Sequence, residues 1–171
     1  MKKKILATTI FLAILAIGGY WGFVKLGGNA PINIQLIEEK PDNLAGATYR
    51  GTPGNEDLGE IFEKIETQKG LHPGSFLHTI YEVEPAGKLD TMVVFVGINK
   101  NLPLADLEFR TFENESYLLA KIKSNKWVMP SPETVKEKLE AFAKDNQVEL
   151  SGTYIDKIIS QEEIQVIAPI K

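Results

Sequence analysis

The sequence predicts an α+β domain: two βαββ units joined edge to edge into one antiparallel sheet, with both helices on one face and a single transmembrane helix ahead of them. Three observations predict it. A charge-free apolar run opens the chain, from Ile5 to Val24. Downstream, stretches with period-two alternation flank two stretches with helical periodicity. The order strand, helix, strand, strand occurs twice, and a constant shift lays Ala47 on Lys121, Asp57 on Ser131 and Glu82 on Asp156.

The opening run, ILATTIFLAILAIGGYWGFV, would span about 30 Å as a helix, the thickness of a bilayer's hydrocarbon. Lys2, Lys3 and Lys4 precede it and Lys25 follows, so the positive-inside bias puts the remainder on the non-cytoplasmic side. Tyr20, Trp21 and Phe23 suit the outer interface. Two fates are open: a retained single-pass anchor, or a signal peptide cut near Ala16 and Gly18 and a secreted domain. The length of the run favours the anchor, making the membrane a partner through residues 1–26.

Residues 27–31 read as a linker and 32–171 as the folded domain, with units at about 32–100 and 104–171. INIQLIEE alternates as a half-buried strand, and LAGATYR is a second extended piece. In LGEIFEKIETQK, Leu58, Ile61, Phe62 and Ile65 share one helical face, with Asp57 as N-cap and Gly70 after the last turn. FLHTIYEVE and the nearly all-apolar TMVVFVGI are strands, the latter central. LEFRTFE and YLLAKIK continue the pattern. Ser131 caps a helix with Pro132 in its first position and Val135, Leu139 and Phe142 as its buried stripe. VELSGTYIDKII and IQVIAPI close the chain as strands.

Composition excludes several functions. With 19 basic and 23 acidic residues the net charge is −4, and the only tight basic cluster lies at the N-terminus, so no nucleic-acid partner is expected. There is no cysteine, hence no disulfide, thiolate metal site or cysteine nucleophile. His72 and His78 are too few for a histidine-rich metal site, and no nucleophile elbow or phosphate-cradling glycine loop is present. No cofactor is implied.

In such a sheet the face without helices is expected to be concave, and pockets form at internal interfaces of this kind. Glu82 and Asp156 fall at matched positions, as two carboxylates facing across a cleft or as solvated strand residues. Tyr154 shares a strand face with Asp156. Trp127 and Met129 lie in the loop before the second helix, lining a pocket or plugging the core rim. Tyr81, one residue from Glu82, is expected in the helix-packed core.

The stretches LAGATYRG, IYEVEP, VMPSPETVKEKLEAFAKDN, GTYIDKI and IQVIAPIK, in that order and spacing, resemble the GyrI-like family, named for the gyrase-inhibitory protein. The resemblance covers about Ile34 to Lys171. It implies a duplicated βαββ fold, also seen as the effector-binding domain of some multidrug-responsive transcription activators, with an aromatic-lined ligand cleft near the pseudo-twofold axis. The family's buried glutamate corresponds to Asp156, and the tyrosine two residues on corresponds to Ile158. Some members hydrolyse strained cyclopropane compounds with that glutamate and tyrosine. Three functions follow as expectations: a module binding amphipathic or cationic small molecules through Asp156, Tyr154, Glu82, Trp127 and Met129; a hydrolase of strained small molecules; or a membrane-displayed protein-interaction domain, its protein partner unspecified.

Overall fold

A computed structural model describes residues 2–26, 31–104, 106–125 and 127–171, and the side chains of these except residues 2–8 and 10. The elements run α1 (Lys2–Lys25), β1 (Asn33–Ile37), β2 (Leu44–Gly51), α2 (Glu56–Leu71), β3 (Leu77–Val83), β4 (Met92–Asn99), β5 (Glu108–Arg110), β6 (Tyr117–Lys123), α3 (Pro132–Asp145), β7 (Ile155–Ser160) and β8 (Glu163–Pro169). All eight strands form one antiparallel sheet in the order β1-β6-β8-β7-β3-β4-β2-β5. The α+β class and the antiparallel sheet are as the sequence predicts.

The two βαββ runs meet at β3 and β7, where Leu77 pairs with Ile158, His78 with Lys157 and Thr79 with Asp156. The outermost strands cross over. β1 precedes the first run yet pairs with β6 of the second, and β5 precedes the second run yet pairs with β2 of the first.

Both helices lie on one face. Under α2, Ile65 packs with Tyr49, Leu77, Val94, Val96 and Ile98. Under α3, Val135, Leu139 and Ala143 pack on Leu118, Ala120, Ile122 and Val166. Period-two alternation sends the intervening residues to the other face, where Leu44, Ile80 and Phe95 of the first run meet Leu119, Ile155 and Ile167 of the second. Phe95 lies over the Gly46–Gly97 pair: a Cβ at Gly46 would stand 2.1 Å from the Val96 carbonyl oxygen and 2.6 Å from the ring, and one at Gly97 2.7 Å from the ring, so both positions require glycine. The face expected to be an open concavity is therefore filled by its own side chains.

Several local expectations are corrected. Asn55, not Asp57, caps α2, accepting from the Asp57 amide at 3.1 Å, and Gly70 lies inside the helix, which ends at Leu71. Ser131 does cap α3, accepting from the Thr134 amide at 3.3 Å, with Pro132 at the first helical position. The final strand pair is shorter than VELSGTYIDKII predicts. Gly152 takes φ +88° and breaks the run, leaving only a bridge from Leu150 to Ile170 before β7 starts at Ile155.

The transmembrane anchor is also corrected. Among the described residues no helix is long and apolar enough to cross a membrane. The single-pass topology, the membrane as partner and the non-cytoplasmic placement that rested on it fall together. The expected linker lies outside the described residues except for Pro31.

Candidate functional site

A cavity opens on the helix-bearing face. It measures about 490 Å³, within the range of small-molecule sites. The sheet supplies its floor through Ile122, Asp156, Ile164 and Val166, and α3 supplies a wall through Val135 and Lys136. The end of β3 and the residues after it close the far side with Tyr81, Glu84 and Pro85. The space lies where α2, over β2, β3 and β4, and α3, over β6 and β8, leave the middle of the sheet face near β7 between them.

Asp156 occupies the floor next to the junction of the two runs. Val166 is its neighbour on β8 and Thr79 on β3. Burial raises its carboxyl from the ordinary aspartate range to about 6; the Thr79 hydroxyl, which donates to it, pulls the other way, and the Glu84 charge adds to the rise. Tyr81 shares the cavity, and its phenol is pushed up by burial and then by the Asp156 and Glu84 charges. Tyr154 stands on the other side. Its hydroxyl donates to Glu140 Oε1 at 3.1 Å, and burial together with that bond pushes it up to about 12. Lys136 crosses the mouth, its Nζ 4.9 Å from the Tyr154 ring centroid and 3.9 Å from Glu84 Oε1.

Of the residues expected at a site, Asp156, Tyr154 and Met129 come together here. Glu82 borders the cavity, but its carboxylate is taken by Arg110, whose Nη1 donates at 2.7 Å. Arg110 also donates to Glu108 at 2.6 Å and stacks 4.1 Å from the centre of Phe95, on the helix-free face. The expected opposition of Glu82 and Asp156 does not occur. β3 changes register between Tyr81 and Val83, and an even-numbered β3 residue points away from the helices. Trp127 is 79% exposed and does not line the cavity. Tyr81 points to the helix-bearing side as expected, yet is 44% exposed rather than core. Sequence reasoning missed Glu84 and Lys136. The stretch IYEVEP contained the first, and the helical spacing of Pro132, Val135 and Lys136 contained the second.

No group of three or more metal-ligating side chains is present among the described residues. The fold is similar to that of a hydrolase from Listeria innocua, with a TM-score of 0.57 at 6% identity over 81% of this chain and 92% of that one. A conserved protein from Listeria innocua is similar with a TM-score of 0.59 at 8% identity over 83% and 94%. The C-terminal domain of EcmrR matches with a TM-score of 0.53 at 13% identity over 82% and 98%. At such identities the likeness is one of fold. No family model matches the chain, and no curated protein does.

Proposed function

We propose that this chain binds a small amphipathic or cationic molecule in the cavity beside α3, with Asp156 as the recognising anion. The observation that carries the reading is a carboxyl raised to about 6 by burial, on the floor of a cavity of about 490 Å³ that also holds Tyr81 and Tyr154. An ionised carboxylate in that position is poorly solvated, and a ligand cation offsets the cost. Ile122, Met129, Val135, Ile164 and Val166 give the apolar body of the ligand somewhere to lie. The effector-binding fold supports the same reading, and the repeated element order supports an internal duplication with units at about 32–100 and 104–171. The ligand set is Asp156, Tyr81, Tyr154, Met129 and Glu84, with Glu82 at the rim; Trp127 drops out.

A thermal-shift titration with octyltrimethylammonium, run beside Asp156→Asn, tests this. The unfolding temperature should rise with concentration in the wild type, because a ligand bound only to the native state stabilises it, and the rise should be lost in the variant. Affinity should also increase as pH rises through about 6, where Asp156 ionises. Equal shifts in both proteins would remove Asp156 from the site.

Hydrolysis is the second reading, favoured by one feature: a carboxyl titrating near 6 both holds and releases a proton near neutrality. It requires turnover of an activated ester that disappears in Asp156→Asn.

A further inference from the structure

The cavity mouth already holds a cation. Lys136 projects from α3 with its ammonium over the Tyr154 ring, 4.9 Å from the centroid, and 3.9 Å from Glu84 Oε1 at the end of the β3 segment. The ring is held in place, because the Tyr154 hydroxyl donates to Glu140 Oε1 at 3.1 Å, one turn along the same helix. A fixed ring face with a carboxylate beside it is the arrangement that recognises an ammonium ion. Among the described lining residues Glu82, Glu84, Glu133 and Asp156 are acidic and Lys136 alone is basic. The lysine side chain is 43% exposed, so it has open solvent to move into.

We infer that the Tyr154 ring and the Glu84 carboxylate form an outer cation subsite at the mouth of this cavity, beside the Asp156 carboxylate on its floor, and that Lys136 fills it as a tethered competitor until a ligand cation displaces it. This rests on the ligand-binding reading above and extends it by naming the subsite and its resident occupant. A tether keeps the competing ammonium at high effective concentration. A ligand that displaces it must therefore gain more from the ring than a primary ammonium does. Quaternary ammonium and other weakly hydrated cations meet that condition: they lose little hydration on entering, while the displaced Lys136 ammonium regains its strong hydration in water. The subsite thus selects for quaternary over primary ammonium compounds.

The test is a calorimetric titration of the full chain with octyltrimethylammonium and, as a neutral control, octanol. Lys136→Met should bind the cation about tenfold more tightly, equivalent to about 1.4 kcal/mol, with octanol unchanged. Lys136→Arg puts a more weakly hydrated cation over the ring and should bind the ligand no more tightly than the wild type, whereas Glu84→Gln should weaken cation binding. Unchanged or weaker binding by Lys136→Met, with wild-type binding intact, overturns the competitor and leaves the cavity reading standing. No binding by either form overturns both. A second readout needs no variant. The Lys136 ε-methylene protons should be shifted upfield by the Tyr154 ring in the free protein and return toward ordinary values on adding octyltrimethylammonium; a shift that persists at saturation overturns the displacement.

Discussion

Two titratable side chains, Asp156 and His78, set opposite pH dependences on the same domain. His78 is fully buried, donating through Nδ1 to the Phe76 carbonyl at 2.9 Å and leaving Nε2 without a hydrogen-bond partner. Burial pushes it from 6.5 down to about 4. Its neutral form therefore contributes stability that is present above 6.5 and lost as pH falls toward 4. Asp156, raised from 3.8 to about 6, contributes stability that is present below 3.8 and lost as pH rises through 6. Each shift corresponds to about 3 kcal/mol, so between about pH 4 and 6 the contributions of these two groups oppose and largely cancel each other in the wild type. Asp156→Asn should lose stability on acidification and His78→Leu should gain it, read as urea midpoints across that range. Parallel curves for all three proteins would show that neither shift is real. Asp156 was singled out by the resemblance and by its match to Glu82 across the repeat, and Tyr154 by strand alternation with Asp156; both line the cavity. The fate of Glu82 was not. Its carboxylate is captured by Arg110, which reaches it only because β5 crosses to the first run, a contact created by tertiary pairing.

At the level of elements, α3 does most to shape the site, since Val135 and Lys136 of the helix form one wall. Its start is fixed by Ser131, and Ser131→Ala should cost about 1 kcal/mol in chemical denaturation. Leu139, fully buried beneath the helix, should cost about 2–5 kcal/mol on truncation to alanine. A loss well below that range would mean that α3 is not seated on the sheet as described. Helix α3 was readable because its cap, first-position proline and apolar stripe agree. Helix α2 was readable in its stripe but not in its ends: Asn55 competes with Asp57 for the cap, and Gly70 continues a helix it was expected to terminate. Segment β7 was overextended because alternation does not register the left-handed turn at Gly152. The N-terminal run was read as a membrane span from its length and lack of charge, whereas among the described residues no helix is long and apolar enough to cross a membrane.

Across the whole molecule, the decisive feature is which face of the sheet stays open. The repeated order of elements and the antiparallel sheet were legible because each strand and helix announces itself locally. The crossing of β1 and β5 was not, since a strand's partner lies in another part of the chain. Nor was the site's face. Two helices on one side suggested an empty opposite side, but Leu44, Ile80, Phe95, Leu119, Ile155 and Ile167 close it and tie the two halves together. That shared cluster predicts one cooperative unfolding step for residues 32–171, with circular dichroism and calorimetry coinciding; two separated transitions would show that the halves are held only by the β3–β7 seam. The central claim, a ligand cavity on the helix-bearing face floored by Asp156, is tested most directly by mapping amide chemical-shift changes as octyltrimethylammonium is added to the labelled protein. Saturable changes should group at Tyr81, Glu84, Val135, Lys136, Tyr154 and Asp156. Changes centred instead on Thr48, Phe95 and Arg110 of the other face, or no saturable changes at all, would contradict it.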